Sequence, residues 1–172
     1  GDQVRAVVPR LIGMTQKAID LKTAGERKRA LNRETFLNQC TPEAADFFQR
    51  ILDTPPPAKL SIYWGATSFS LRAHIATPER EYASFWYGCV PDAMMTIPSV
   101  EVYLKQLPMT ESESQTFRQS LLSFGIFNEA GRWSLRAPVT TTTRPKLDEA
   151  YKFVIDKTAQ ILSIFKNSEM SG

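Results

Sequence analysis

The chain has 172 residues, 42% of them hydrophobic and 23% charged, with a formal net charge of +3. This length suits one main domain of ordinary globular composition. No apolar run approaches the roughly 20 residues that cross a membrane, and two cysteines are too few for a disulfide framework. We therefore expect a globular domain in a reducing, cytoplasmic setting, with no membrane partner.

The basic residues are concentrated at the N-terminal end. Residues 1–33 carry eight basic and three acidic side chains, so this segment has a charge of +5 and the remainder −2. Its apolar residues recur at helical spacing. We therefore divide the chain into a basic helical arm, 1–33, and a single α+β domain, 34–172. A positive arm attracts anionic partners such as nucleic acid, although a solvated helix face is the alternative.

Two helix starts are marked before residue 60. Asn32 can cap a short helix that contains Phe36. Thr41 is a good N-cap for a second helix, because Pro42 fits the first helical position. The run TPPP at 54–57 ends this helix, since a residue that precedes proline avoids the helical region.

The stretch 60–89 predicts three short strands. Apolar residues occupy even positions in 60–64 and odd positions in 69–75. A period-two pattern cannot change face within a regular strand, so the chain turns near Gly65. A second turn leads into a third strand at 82–89.

The hairpin of strands 69–75 and 82–89 has one face that is not apolar. The register that keeps the apolar residues together places Arg72 opposite Trp86, within reach of a cation–π contact, and puts His74 on the same face. Such a group can contact a planar or anionic ligand. The alternative is that a helix covers this face and Trp86 belongs to the core, where strand aromatics are usually found.

The C-terminal half predicts two helices, a hairpin and a long final helix. The first helix spans 100–107 with Ser99 as its cap, and a capping box at Thr110 and Glu113 opens the second. The hairpin spans 126–138, and the last helix is strongly amphipathic. Helix, helix and hairpin occur in this order in winged-helix DNA-binding proteins. The alternative, a plain helix–hairpin unit, is favoured because carboxylates near the second helix start repel phosphate.

The order of these elements predicts an α+β fold. We expect a small antiparallel sheet packed with several helices, among them the long C-terminal amphipathic helix. Its strands should lie near 60–64, 69–75, 82–89 and 132–138.

The residue types that several enzyme chemistries need are missing. One histidine and two cysteines without metal-ligand spacing disfavour zinc, and no glycine-rich phosphate loop or G-x-S-x-G elbow is present. The predicted hairpin places Cys89 and His74 on opposite faces. Asp20 and Lys22 form the acid-x-lysine of a restriction-type nuclease, but within a helical pattern. We expect no metal and no cofactor.

The sequence favours non-catalytic recognition, as one part of a larger protein. Nucleic acid is the first partner to test. The alternatives are protein–protein interaction or self-association through the C-terminal helix, and a metal-dependent nuclease-like enzyme. The predicted phosphate contacts are Arg27, Lys28, Arg29 and Arg33, and the predicted secondary ligand contact is Arg72, His74 and Trp86.

Overall fold

A computed structural model describes residues 30–57 and 59–169 of the chain. The predicted basic arm therefore lies almost entirely outside the described residues. The described part forms four helices, namely α1 (Arg33–Leu37), α2 (Pro42–Asp53), α3 (Glu111–Leu122) and α4 (Arg144–Glu169). It also forms six strands, namely β1 (Leu60–Trp64), β2 (Ser68–Thr77), β3 (Arg80–Cys89), β4 (Ser99–Tyr103), β5 (Asn128–Glu129) and β6 (Ser134–Pro138).

The strands form one antiparallel sheet in the order β1-β2-β3-β4-β6-β5. The first four strands are neighbours in both sequence and space. After α3 the chain returns as a hairpin, in which β6 pairs with β4 and the two-residue strand β5 lies at the edge. The predicted α+β fold, with its small antiparallel sheet and long C-terminal helix, is confirmed.

One face of the sheet carries the hydrophobic core. Leu71, Trp86, Val102 and Leu135 follow one another across β2, β3, β4 and β6 as paired residues, and none is more than 1% exposed. The ring of Tyr151 on α4 packs edge-on against Trp86, with ring centroids 5.2 Å apart. The long amphipathic helix is therefore one of the layers that bury this face.

An aromatic cluster packs α1 and α2 against the same face. Phe36 of α1 and Phe48 of α2 lie edge-on to Phe69, with ring centroids 5.1 and 5.7 Å away. Gly88 is the cross-strand partner of Phe69. A Cβ atom at position 88 would lie 2.2 Å from the Phe69 ring and 2.8 Å from the Phe48 ring. Because glycine has no Cβ atom, the Phe69 and Phe48 rings can occupy the space beside position 88.

A β-bulge at Phe85 overturns the predicted pairing of β2 with β3. Leu71 pairs with Trp86, but the next residue, Arg72, pairs with Ser84, which leaves Phe85 as an extra residue in β3. The pairing of Arg72 with Trp86 is therefore wrong. Trp86 is completely buried in the core. A period-two pattern could not predict the bulge, because it assigns the adjacent residues Phe85 and Trp86 to opposite faces although both are fully buried.

The predicted helix at 100–107, capped by Ser99, is also wrong. The segment Ser99–Tyr103 instead forms β4, which lies between β3 and β6. Val100 and Val102 are completely buried there, and β-branched residues are common in a strand that pairs with a neighbour at each edge. Without this helix, the element order of a winged helix is lost.

Local start and turn signals are confirmed. Asn32 and Thr41 accept hydrogen bonds from backbone N–H groups as the N-caps of α1 and α2. Thr110 and Glu113 form the predicted capping box of α3. Gly125 takes a φ of 68° just after this helix, a conformation that favours glycine. The predicted hairpin is β5 with β6.

We expect Gly88→Ala to lower the free energy of unfolding by about 1–3 kcal/mol, because the added methyl group overpacks the aromatic cluster. Urea denaturation followed by tryptophan fluorescence measures the change. The double variant Gly88→Ala/Phe69→Leu should lose less stability than the sum of the two single variants, since the smaller side chain relieves the overlap. Wild-type stability in Gly88→Ala would contradict the close approach at this position.

Candidate functional site

The face of the sheet opposite the core is polar. Side chains alternate between the two faces of a strand, so the residues that flank each core position lie on this second face. We call it the polar face. Its residues are Ser61 and Tyr63 on β1, Ser70, Arg72 and His74 on β2, Tyr82, Ser84 and Tyr87 on β3, Glu101 and Tyr103 on β4, and Ser134 and Arg136 on β6.

Arg72 is oriented on this face without a carboxylate partner. Its guanidinium carbon lies 3.3 Å from the centroid of the Tyr63 ring, and its Nε donates to Ser84 Oγ at 3.1 Å. Among the described residues, no Asp or Glu oxygen lies within 4.0 Å of this guanidinium. A stacked, half-buried guanidinium of this kind is prepared to bind phosphate or carboxylate in a planar geometry.

Tyrosine rings surround Arg72 on the polar face. Tyr63 is 50% exposed and Tyr82 is 41% exposed, whereas Tyr87 is half-buried. Burial raises the pKa of Tyr87, and a hydrogen bond to the Glu81 carboxylate raises the pKa of Tyr82. Both rings are therefore neutral at physiological pH. Neutral exposed rings offer π-faces on which planar groups can stack.

The second arginine of the polar face is fully paired. Arg136 Nε donates to Glu101 at 2.8 Å and its Nη1 donates to Asp92 at 2.9 Å, and its side chain is only 12% exposed. Burial opposes the charge on Asp92, but hydrogen bonds from backbone N–H groups of its own loop and from Arg136 lower its pKa. The cluster holds the loop after β3 against the sheet. Arg136 therefore stabilises the fold and differs in this respect from Arg72.

The bulge separates the residues of the predicted ligand contact. Arg72 and His74 lie on the polar face, and His74 pairs with Tyr82, with ring centroids 5.4 Å apart. Trp86 lies on the core face and is inaccessible to a ligand. Tyr63 takes its place beside Arg72. The signal that could have found Tyr63 is the β1–β2 pairing, which makes it the diagonal neighbour of Arg72.

Of the four predicted phosphate contacts in the arm, only Arg33 lies within the described residues. It begins α1, is exposed, and forms an ion pair with Asp53 at the end of α2. Exposed pairs of this kind contribute little to stability and can exchange partners. Arg27, Lys28 and Arg29 lie outside the described residues, so the arm contact stays a prediction; the nuclease-like Asp20 and Lys22 lie outside them too.

Neither cysteine is activated as a nucleophile. Burial raises the pKa of Cys89 to about 12 and the pKa of Cys40 to about 11. The bulge turns Cys89 to the same face as His74, so the predicted opposite placement is wrong. Cys89 pairs with Ser68, however, and six strand residues separate Ser68 from His74 by about 20 Å. Cys89 and His74 are therefore too far apart to form a Cys–His dyad.

The described residues were searched for metal-binding groups and membrane-spanning helices, and the chain was compared with known proteins. Within residues 30–57 and 59–169, no group of three or more His, Cys, Asp or Glu side chains could hold a metal ion. No helix in that part of the chain combines the length and apolarity that crossing a membrane requires. Comparisons with protein-family models, curated proteins and solved structures found no match to this chain.

We expect both thiols to react slowly with an aromatic disulfide reagent at pH 8 in the native protein and rapidly in urea. The reason is that only the thiolate reacts, and the raised pKa values leave little of it. Absorbance of the released thiolate gives the rates, and Cys40→Ser isolates the reaction of Cys89. Fast native labelling in this variant would contradict the buried, protonated state of Cys89.

Proposed function

We propose that the chain is a non-catalytic binding domain whose polar face binds nucleic acid. The observation that carries the proposal is Arg72, stacked on Tyr63, held by Ser84 and without a carboxylate partner among the described residues. A buried or half-buried guanidinium is usually neutralised, as Arg136 is by Glu101. Arg72 instead keeps its charge available to an anion, and phosphate fits its fork-like donor geometry.

The tyrosines of the polar face support nucleic acid as the source of that anion. Bases have planar π-systems that stack on exposed aromatic side chains, whereas a simple anion gains nothing from such rings. Tyr63 and Tyr82 expose about half of their surface beside Arg72. A sheet that presents arginine and tyrosine together can thus contact both the phosphate and the base of a nucleotide.

A backbone contact of Leu31, near the C-terminal end of the basic arm, supports a role for the arm. The backbone N–H of Leu31 donates to the Gly65 carbonyl at 2.8 Å. This contact places the end of the arm beside the β1–β2 turn, two residues after Tyr63. The arm cations Arg27, Lys28, Arg29 and Arg33 therefore stay part of this proposal as candidate phosphate contacts.

We expect Arg72→Ala to weaken binding of a single-stranded oligonucleotide at least about tenfold, because it removes one charge-assisted hydrogen bond worth about 1.5–3 kcal/mol. Fluorescence anisotropy with labelled single- and double-stranded DNA and RNA, at two salt concentrations, measures the effect. Arg72→Lys should bind with intermediate affinity, because it keeps the charge but loses the planar stack.

Two further variants complete this experiment. Lys152→Ala removes an exposed cation from α4, which packs on the core side, and should leave affinity unchanged. The fourfold variant Arg27→Ala/Lys28→Ala/Arg29→Ala/Arg33→Ala measures the contribution of the arm separately. Absence of wild-type binding at low salt, or unchanged affinity in Arg72→Ala, would exclude the polar face as the nucleic-acid interface.

A second candidate function is self-association through α4. A groove of about 310 Å³ lies between α3 and α4, and its lining includes Met109, Ile161 and Ile164. Ile164 is 66% exposed, and exposed apolar groups beside a groove favour a protein contact.

We expect Ile164→Glu to shift any dimer of the full chain towards monomer, because it places a charge in the contact. Sedimentation velocity over a range of protein concentrations measures the change. Ile164→Ala is the milder matched variant. A wild-type protein that remains monomeric at the highest concentration would rule out this second candidate.

A further inference from the structure

A second cationic cluster lies on the polar face beyond Tyr82. The chain forms a shallow depression of about 380 Å³ there, where β3 begins and β4 has just ended. We call it the cationic depression. It is lined by Glu79, Arg80, Tyr82, Tyr103, Lys105 and Gln106.

The backbone that carries the two cations is held in place by hydrogen bonds. The N–H of Arg80 donates to Thr77 Oγ1 at 3.2 Å, and this hydroxyl donates back to the Arg80 carbonyl at 3.1 Å. On the other side, Gln106 Oε1 accepts the N–H of Ser84 at 2.7 Å, which anchors the residue that follows Lys105. Both cations therefore project from ordered backbone, so a ligand need order only their side chains.

The two cations of the depression are available to an anion. Neither Arg80 nor Lys105 has a carboxylate within 4.0 Å among the described residues. Glu79 is the acidic group of the lining, and the nearby Glu81 carboxylate is hydrogen-bonded to Tyr82 and lies 3.7 Å from His74 Nε2. Tyr82 and Tyr103 add aromatic surface to the same depression. Cations beside aromatic rings repeat the combination that Arg72 and Tyr63 make.

Ser84 connects this depression to Arg72. Its Oγ accepts from Arg72 Nε, and its backbone N–H donates to Gln106. Lys105 follows β4, two strand spacings or about 10 Å from Arg72 on β2. Arg80 lies on β3, four residues or about 13 Å along the strand from Ser84, the cross-strand partner of Arg72. These separations correspond to roughly three to four nucleotides at the rise of about 3.4 Å of a stacked strand.

We propose that the cationic depression is a second phosphate-binding subsite and that the ligand is single-stranded nucleic acid lying across β1–β4, with bases on the tyrosines between the two subsites. This inference rests on the proposed function. A single strand fits better than a duplex, because only unpaired bases can leave their stack to lie on aromatic rings while phosphates reach cations at both ends.

The test measures the dependence of affinity on salt. The probe is a labelled 12-nucleotide oligouridine or oligothymidine, and anisotropy titrations are made at several salt concentrations. For single strands, the slope of log K against log salt changes by about 0.7 for each phosphate that the protein no longer neutralises. We expect Arg80→Ala/Lys105→Ala to make the slope shallower by about 0.7–1.4 and to weaken binding at low salt.

Two variants keep this result independent of misfolding. Lys146→Ala/Lys152→Ala removes two exposed cations from α4 and should leave the slope unchanged. Glu79→Gln removes the acidic group from the depression and should increase affinity several-fold, because the repulsion of phosphate disappears. A misfolded variant does not gain affinity.

The outcomes separate this inference from the proposed function. If the wild type binds no oligonucleotide, the proposed function fails, and this inference fails with it. If Arg72→Ala weakens binding but Arg80→Ala/Lys105→Ala keeps the wild-type slope, only the second subsite is refuted. Equal affinity for a duplex, or equally strong displacement of the probe by oligoglutamate, would overturn the assignment to a single strand.

Discussion

The β-bulge at Phe85 decides which side chains of β3 reach the core and which reach the polar face. It lets both Phe85 and Trp86 be completely buried, although they are adjacent in sequence. Burying an aromatic side chain of this size contributes about 1.5–3 kcal/mol. The backbone N–H of Ser84, beside the bulge, donates to Gln106 Oε1 at 2.7 Å, so this polar group of the irregular strand keeps a hydrogen bond. Beyond the bulge, Tyr87 and Cys89 therefore take the face that Trp86 and Gly88 would otherwise occupy.

The two arginines of the polar face illustrate how this division of the sheet separates stability from binding. Arg136 satisfies Glu101 and Asp92 at a nearly buried position, where an unpaired charge would be costly. Arg72 is half-buried on β2, where the Tyr63 ring and Ser84 orient its guanidinium without neutralising its charge. The same residue type thus has a structural role in one place and is available to a ligand in the other, because its neighbours differ in charge.

The error over β4 shows why periodicity alone was insufficient. Val100, Leu104 and Leu107 have helical spacing, and Val100, Val102 and Leu104 also alternate as a strand would. A short apolar run satisfies both patterns. The neighbours decided between them, since β3 and β6 each form a hydrogen-bonded ladder with β4. β6 is distant from β4 in sequence, with α3 between them, so no local signal could report its presence.

The sequence by itself determined the helix caps at Asn32, Thr41 and Thr110, the turn near Gly65 and the α+β class. These features arise from contacts between residues a few positions apart, or from the order of elements along the chain. Only the tertiary structure decided that Tyr63 rather than Trp86 lies beside Arg72. That choice depends on strand register and on a bulge stabilised by core burial, and both are set by the packing of the whole sheet against its helices.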